Sequence, residues 1–177
     1  NRFAGDTGRV AAVSPAAFAR RLPCLALVSL LALSGCDKAP RMTIFEAAMT
    51  GNTAGLDEAL RSGIDPDVKD ANEQAPLHYA AAAGQLATVR RLLQSGADVN
   101  LRNSYDDTPL HKAAAACRSE VIHLLIDAGA QTDVRNKHGE TPLHQAAACG
   151  DRKIVELFVL HGADLNAVTK RGQTALH

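Results

Sequence analysis

Four histidines stand one fixed step apart: His78, His111, His144 and His177, each 33 residues from the last. Imidazoles in register can ligate a metal or relay protons, provided the rings converge. Here they do not. Stacked helices pack about 8–10 Å apart, whereas ligands hold an ion at about 2 Å. Consecutive rings therefore cannot share an ion, and the ladder is read as structural. His123, among Val121, Ile122, Leu124 and Leu125, and His161, at a helix C-terminus, are read the same way. His138 falls at a hairpin tip, solvated and open to a partner. Cys117 and Cys149 lie 32 residues apart. An exported protein can oxidise such a pair, but a disulfide needs Cα atoms within about 7 Å, and the expected layer spacing exceeds that. Both are read as small apolar filler, with a redox or mixed-disulfide role for Cys149 as the alternative. The sequence holds no His-Glu-x-x-His, no Gly-x-Ser-x-Gly and no phosphate-cradling glycine loop. An enzyme, a cofactor and a metal site are not expected.

The elements that position these residues come from the same period. Thr108-Pro109-Leu110-His111 and Thr141-Pro142-Leu143-His144 are full copies of one motif, with Ala75-Pro76-Leu77-His78 and Thr174-Ala175-Leu176-His177 as near copies. Gly63, Gly96, Gly129 and Gly162 keep the same step. Thr108 suits an N-cap and Pro109 the first helical position, where its missing N–H has no partner to lose. Leu110, Ala113 and Ala114 give an apolar stripe at helical spacing. A helix is expected over Pro109 to Ala116, a turn at Cys117 and Arg118, and a second helix over Ser119 to Asp127. Gly129 ends that helix. The polar stretch from Ala130 to Glu140 is turn-rich, with Gly139 available for a positive φ. Aromatics are 3% of the chain and Trp is absent, which suits thin layers packed on small residues rather than one large core.

The Thr-Pro-Leu-His-x-Ala-Ala motif, its 33-residue step and the segments Gly96-Ala97-Asp98-Val99-Asn100 and Gly162-Ala163-Asp164-Leu165-Asn166 resemble the ankyrin-repeat family, over roughly Met42 to His177. The resemblance implies an all-α repeat solenoid of helix-turn-helix units with projecting hairpins. Repeats fall at about 42–74, 75–107, 108–140 and 141–173, with a truncated fifth at 174–177. Met42-Thr43-Ile44-Phe45-Glu46-Ala47-Ala48 is a degenerate first copy of the motif, as terminal repeats tend to be. The family's motif histidine ties one repeat to the next. Family members bind other proteins through hairpin tips and the inner helix. By position, the tips are Ala71, Asn72 and Gln74; Ser104, Tyr105 and Asp107; Lys137, His138 and Glu140; and Lys170, Arg171 and Gln173. The inner-helix positions are Ala82, Ala83, Ala115, Ala116, Ala148 and Cys149, a shallow apolar floor. Tyr105 is the one aromatic among them and the best single anchor. The tips run from acidic (Asp106, Asp107) to basic (Lys170, Arg171), which favours an elongated protein partner of opposite gradient.

The N-terminus reads as an address. Arg20-Arg21 precede an apolar run from Leu22 to Leu33, too short to span a bilayer comfortably, since that takes about 20 residues. It ends in Leu33-Ser34-Gly35-Cys36, which resembles a bacterial lipobox. That resemblance implies cleavage after Gly35, acylation of Cys36, and a membrane anchor. Residues 1–35 would be signal and upstream segment, 36–41 lipidated Cys and tether, and 42–177 the repeat domain. Beyond residue 35 the chain carries 15 basic and 18 acidic residues, no footprint for nucleic acid. The first Met is Met42 and the chain stops four residues into a repeat, so it is read as a fragment. Leu143, Val155, Leu157 and Phe158 are then expected to leave apolar surface uncovered. The expected protein is an envelope-anchored scaffold that binds another protein and no small molecule. The alternatives are a redox-protective envelope protein using Cys149 and a cytoplasmic binding module without a functional signal.

Overall fold

The computed structural model describes residues 43–175. Cys36, the signal and the tether lie outside them. Among the described residues there are eight helices and no strand, and no helix is long and apolar enough to cross a membrane.

Short inner helices alternate with longer outer ones. The inner series is α1 (Ile44–Thr50), α3 (Pro76–Ala83), α5 (Pro109–Ala115) and α7 (Pro142–Ala147). The outer series is α2 (Thr53–Arg61), α4 (Leu86–Gln94), α6 (Ser119–Asp127) and α8 (Arg152–Leu160). Each inner helix packs on the next inner helix and each outer on the next outer, so the core is a succession of seams. Where inner helices meet, the buried residues are Leu77, Leu110 and Leu143 with Ala80, Ala81, Ala113, Ala114 and Ala146. Alanine permits the close approach. The outer helices fill wider gaps with Leu92, Ile122, Leu125, Ile154 and Phe158.

Local signals set the boundaries. Pro76, Pro109 and Pro142 open inner helices. α5 ends one residue before the expected Ala116, α6 spans the expected Ser119–Asp127, and Gly129 follows with φ +91°. Leu143 and Phe158, expected to lie open, are buried, because they point back into the seam with the preceding layer. The large apolar side chains exposed at that end are Val159 and Leu160 on α8, the latter 80% exposed, and Val168 in the last hairpin.

Neighbouring layers are keyed together by the histidine ladder. His78 Nδ1 accepts the Ala75 N–H at 3.2 Å, and its Nε2 donates to the Asp107 carbonyl at 3.0 Å. His111 repeats this with Thr108 N–H at 3.1 Å and the Glu140 carbonyl at 3.2 Å, and His144 with Thr141 N–H and the Gln173 carbonyl, both at 3.2 Å. Because Nδ1 accepts, the single ring proton must sit on Nε2. Each ring is thus a neutral bridge from its own helix start to the hairpin of the next layer. On the outer side, Asp67, Asn100 and Asp133 accept the backbone N–H groups of Asp98, Gln131 and Asp164 at 2.9–3.0 Å.

Burial holds His78 and His111 below the ordinary imidazole value of 6.5. The folded rings resist a proton that the unfolded chain accepts. Their stabilisation is complete above pH 6.5 and is lost as pH falls from there through the lowered folded values. Replacing His111 by Ala should cost about 2–4 kcal/mol in urea unfolding, from the lost hydrogen bonds to Thr108 N, Thr108 Oγ1 and the Glu140 carbonyl and from a cavity. The same change at exposed His123 should stay within about 0.5 kcal/mol. Stability should fall on acidification from neutrality to below pH 6.5, and less steeply in His111→Ala, which has one fewer buried ring to titrate.

Candidate partner-binding face

The hairpin tips are built by a second 33-residue series that the motif reading passed over: Asp70, Asn103, Asn136 and Thr169. Asp70 Oδ1 accepts the N–H groups of Asn72 and Gln74, both at 2.8 Å. Asn103 Oδ1 accepts those of Tyr105 and Asp107, Asn136 Oδ1 those of His138 and Glu140, and Thr169 Oγ1 those of Arg171 and Gln173. One side-chain oxygen thus folds each tip back on itself. The signal was present as a short side-chain acceptor five residues before each motif start, Ala75, Thr108, Thr141 and Thr174. The αL position in the tip falls to Glu73, Asp106, Gly139 and Gly172. Gly139 is required twice over, since a Cβ there would also meet Lys170 N at 2.9 Å.

Successive tips are joined. Ser104 N–H donates to the Asn72 carbonyl at 3.2 Å, Lys137 to Tyr105 at 2.9 Å and Lys170 to His138 at 3.1 Å. The result is a rail of linked turns that holds its side chains at fixed spacing. The predicted tip residues divide along it. Ala71, Asn72, Tyr105, Lys137, His138, Lys170 and Arg171 point outward and are exposed, as is Gln173. Ser104, Gln74 and Glu140 are half-buried.

Asp107 is a correction. It is buried, because the residue before the N-cap tucks beneath the next hairpin. Its carboxylate accepts from Asn136 Nδ2 at 2.9 Å and Lys112 Nζ at 3.0 Å, and its carbonyl takes the His78 bond. Burial pushes this carboxyl up, but the hydrogen bonds from Asn136 and Lys112 and the Lys112 charge outweigh it and hold it below 3.8. Asp107 is a joint between layers and cannot be a contact. The acidic end of the tip gradient therefore rests on Glu73 and Asp106.

Beside the rail runs the floor. Ala115 and Ala148 are exposed and Ala82, Ala83 and Ala116 half-buried, with exposed Met49 at the same register of α1. Between floor and rail stand Tyr79, Lys112 and Gln145, another 33-residue series left out of the predicted site. Tyr79 donates to Asp70 Oδ2 at 2.6 Å and packs edge-on against Phe45, ring centres 5.9 Å apart. Lys112 is spent on Asp107, and Gln145 Nε2 reaches Glu140 at 3.5 Å. Tyr105 is different: 55% exposed, with no side-chain bond, it is free to be covered.

Cys117 and Cys149 overturn the filler reading. They form a disulfide, with Cα atoms 5.8 Å apart. The layer spacing misled because the separation is 32 rather than 33. Cys117 sits in the turn after α5 at φ +56°, where Gly51, Gly84 and Gly150 occupy the other units, and from there its side chain crosses to the end of α7. A β-carbon in that conformation costs of the order of 1 kcal/mol. A free Cys149 thiol, the basis of the redox-protective alternative, is not what the protein presents. Among the described residues no group of three or more His, Cys, Asp or Glu could hold a metal ion.

Helix pairs, projecting hairpins and the histidine bridge recur at one period along the chain. The family model for "Ankyrin repeats (3 copies)" matches residues 44–136, and that for "Ankyrin repeats (many copies)" matches 125–177. The chain belongs to the ankyrin-repeat family. Ankyrin repeats generally mediate protein–protein interaction and are generally non-enzymatic scaffolds. No curated protein matches this chain.

The division of the tips is checked by stability. Asp107→Ala leaves the buried Asn136 amide only its 3.4 Å bond to Glu140 and removes the partner of Lys112, and should cost about 2–3 kcal/mol in urea unfolding. Tyr105→Ala should change stability by less than about 0.5 kcal/mol.

Proposed function

We propose that this ankyrin-repeat protein is an envelope-anchored scaffold that binds a partner protein across the rail and the inner-helix floor. The observation that carries the binding reading is the exposed ring of Tyr105, fixed by linked backbone turns beside a floor of Ala82, Ala83, Ala115, Ala116 and Ala148. Rigid, exposed aromatics next to shallow small-residue surface give contact area at low entropic cost. Lys137, Lys170 and Arg171 make the far half of the rail cationic, while Glu73 and Asp106 sit toward the other end. An extended partner segment with acidic residues facing 137–171 and a bulky apolar side chain over the alanine floor matches this surface. Asn72 and His138 supply polar contacts at the rim.

The anchor rests on sequence. Arg20-Arg21, the apolar run and Leu33-Ser34-Gly35-Cys36 stand in the order of a lipoprotein signal. Acylated Cys36 would place the repeats close to a membrane, facing the periplasm or the outside, on a tether ending at Arg41.

Two measurements separate the halves of the proposal. In detergent-phase partition with intact-mass analysis, the full chain should enter the detergent phase with an acylated Cys36, and Cys36→Ala should stay in water. If both stay in water, the anchor is wrong and the protein is a cytoplasmic binding module. Against the purified partner, Tyr105→Ala should weaken affinity by more than about tenfold. Unchanged affinity would remove Tyr105 from the interface.

A further inference from the structure

We propose that the Cys117–Cys149 disulfide is an exchangeable redox site, with Cys117 the sulfur at which low-molecular-weight thiols form a mixed disulfide. Its placement distinguishes it from a buried staple. Cys117 is exposed and Cys149 half-buried, and the bond lies on the inner-helix floor beside Ala116 and exposed Ala148. Neither position is cysteine elsewhere in the array. Gly51, Gly84 and Gly150 match Cys117, and Ala83 and Ala116 match Cys149. The bond thus joins two layers that other units join without one.

The two sulfurs are not equivalent. Cys149 Sγ lies 3.2 Å from the Ala114 carbonyl oxygen. In the disulfide it has no proton to donate; as a released thiol it donates there, so the choice of Cys117 as the attacked sulfur rests on access, Cys117 being exposed and Cys149 half-buried. Cys117 Sγ has no such hydrogen-bond partner and its residue faces solvent from an αL turn. An incoming thiolate attacks Cys117 Sγ. A new S–S bond forms there as the Cys117–Cys149 bond breaks. The electron pair leaves on Cys149 Sγ, which takes a proton from water and settles on the Ala114 carbonyl. A second thiolate releases the small molecule as its own disulfide. The balance is two small thiols oxidised and one protein disulfide reduced to two thiols. With the link open, α5 and α7 lose their one covalent tie and keep the seam of Leu110, Leu143 and alanines with the His111 bridge, so the floor between them loosens.

The test uses the full chain in mixtures of reduced and oxidised glutathione without denaturant, followed by alkylation and peptide-resolved mass analysis that separates these cysteines from Cys24 and Cys36. The disulfide should open and reclose with the glutathione ratio, and the adduct should sit on Cys117. Amide exchange in Pro109–Ala115 and Pro142–Ala147 should quicken on reduction. Cys149→Ala should take up glutathione from its disulfide at least about tenfold faster than Cys117→Ala. The double variant Cys117→Gly with Cys149→Ala restores the glycine of the other units and should show no glutathione dependence of exchange. Reduction only after unfolding, adducts on Cys149, or the same exchange response in the double variant would each overturn the proposal.

Discussion

Everything on the candidate face hangs from one interaction, the neutral imidazole that spans two layers. His78, His111 and His144 each fix the start of their own inner helix and hold the hairpin carbonyl of the layer beyond. Alanine seams are close but slippery, so direction comes from this bridge together with the outer bonds of Asp67, Asn100 and Asp133 and the backbone links between tips. The bridge sets how far one unit is turned against the next. It therefore sets where Tyr105, Lys137 and Lys170 stand. The cost falls on His78 and His111, whose buried rings resist a proton, so the scaffold is most stable above pH 6.5.

The face divides labour between position and contact. Side chains that look available in sequence are consumed in building the rail: Asp70, Asn103 and Asn136 in the turns, Asp107 and Lys112 in the joint between layers. What remains outward is sparse, and its chemistry is correspondingly specific. One exposed aromatic, a cationic far half and an apolar floor ask for an extended ligand. The disulfide closes the same floor at its far end, between α5 and α7, where a change of link would be felt directly by anything lying in it.

Much of the fold was legible because it is written at one period. Thr108-Pro109 marked the start of α5, and Gly129 the end of α6, through backbone rules that hold residue by residue. The face was less legible, because sequence position along a turn does not say which way a side chain points. Asp107 stands two residues beyond Tyr105, yet it faces inward because its neighbour Thr108 begins a helix. Tyr79, Lys112 and Gln145 were hidden by being unlike one another at equal register. The cysteine pair was misjudged by applying an average layer spacing to residues one step out of register, one of them in an αL turn. Leu143 and Phe158 were misjudged by assuming that an outer unit exposes its whole apolar stripe.

The most direct test of the account places a photo-crosslinking amino acid at position 105 on the rail and, separately, at position 123 on α6, in otherwise identical full-length protein. Both sites are exposed, so both report contact without disturbing the fold. The account predicts a discrete crosslinked partner from position 105 and none from 123, with the 105 adduct lost when excess unlabelled wild-type chain competes. Crosslinking from 123 alone would place the partner on the outer helices and contradict it.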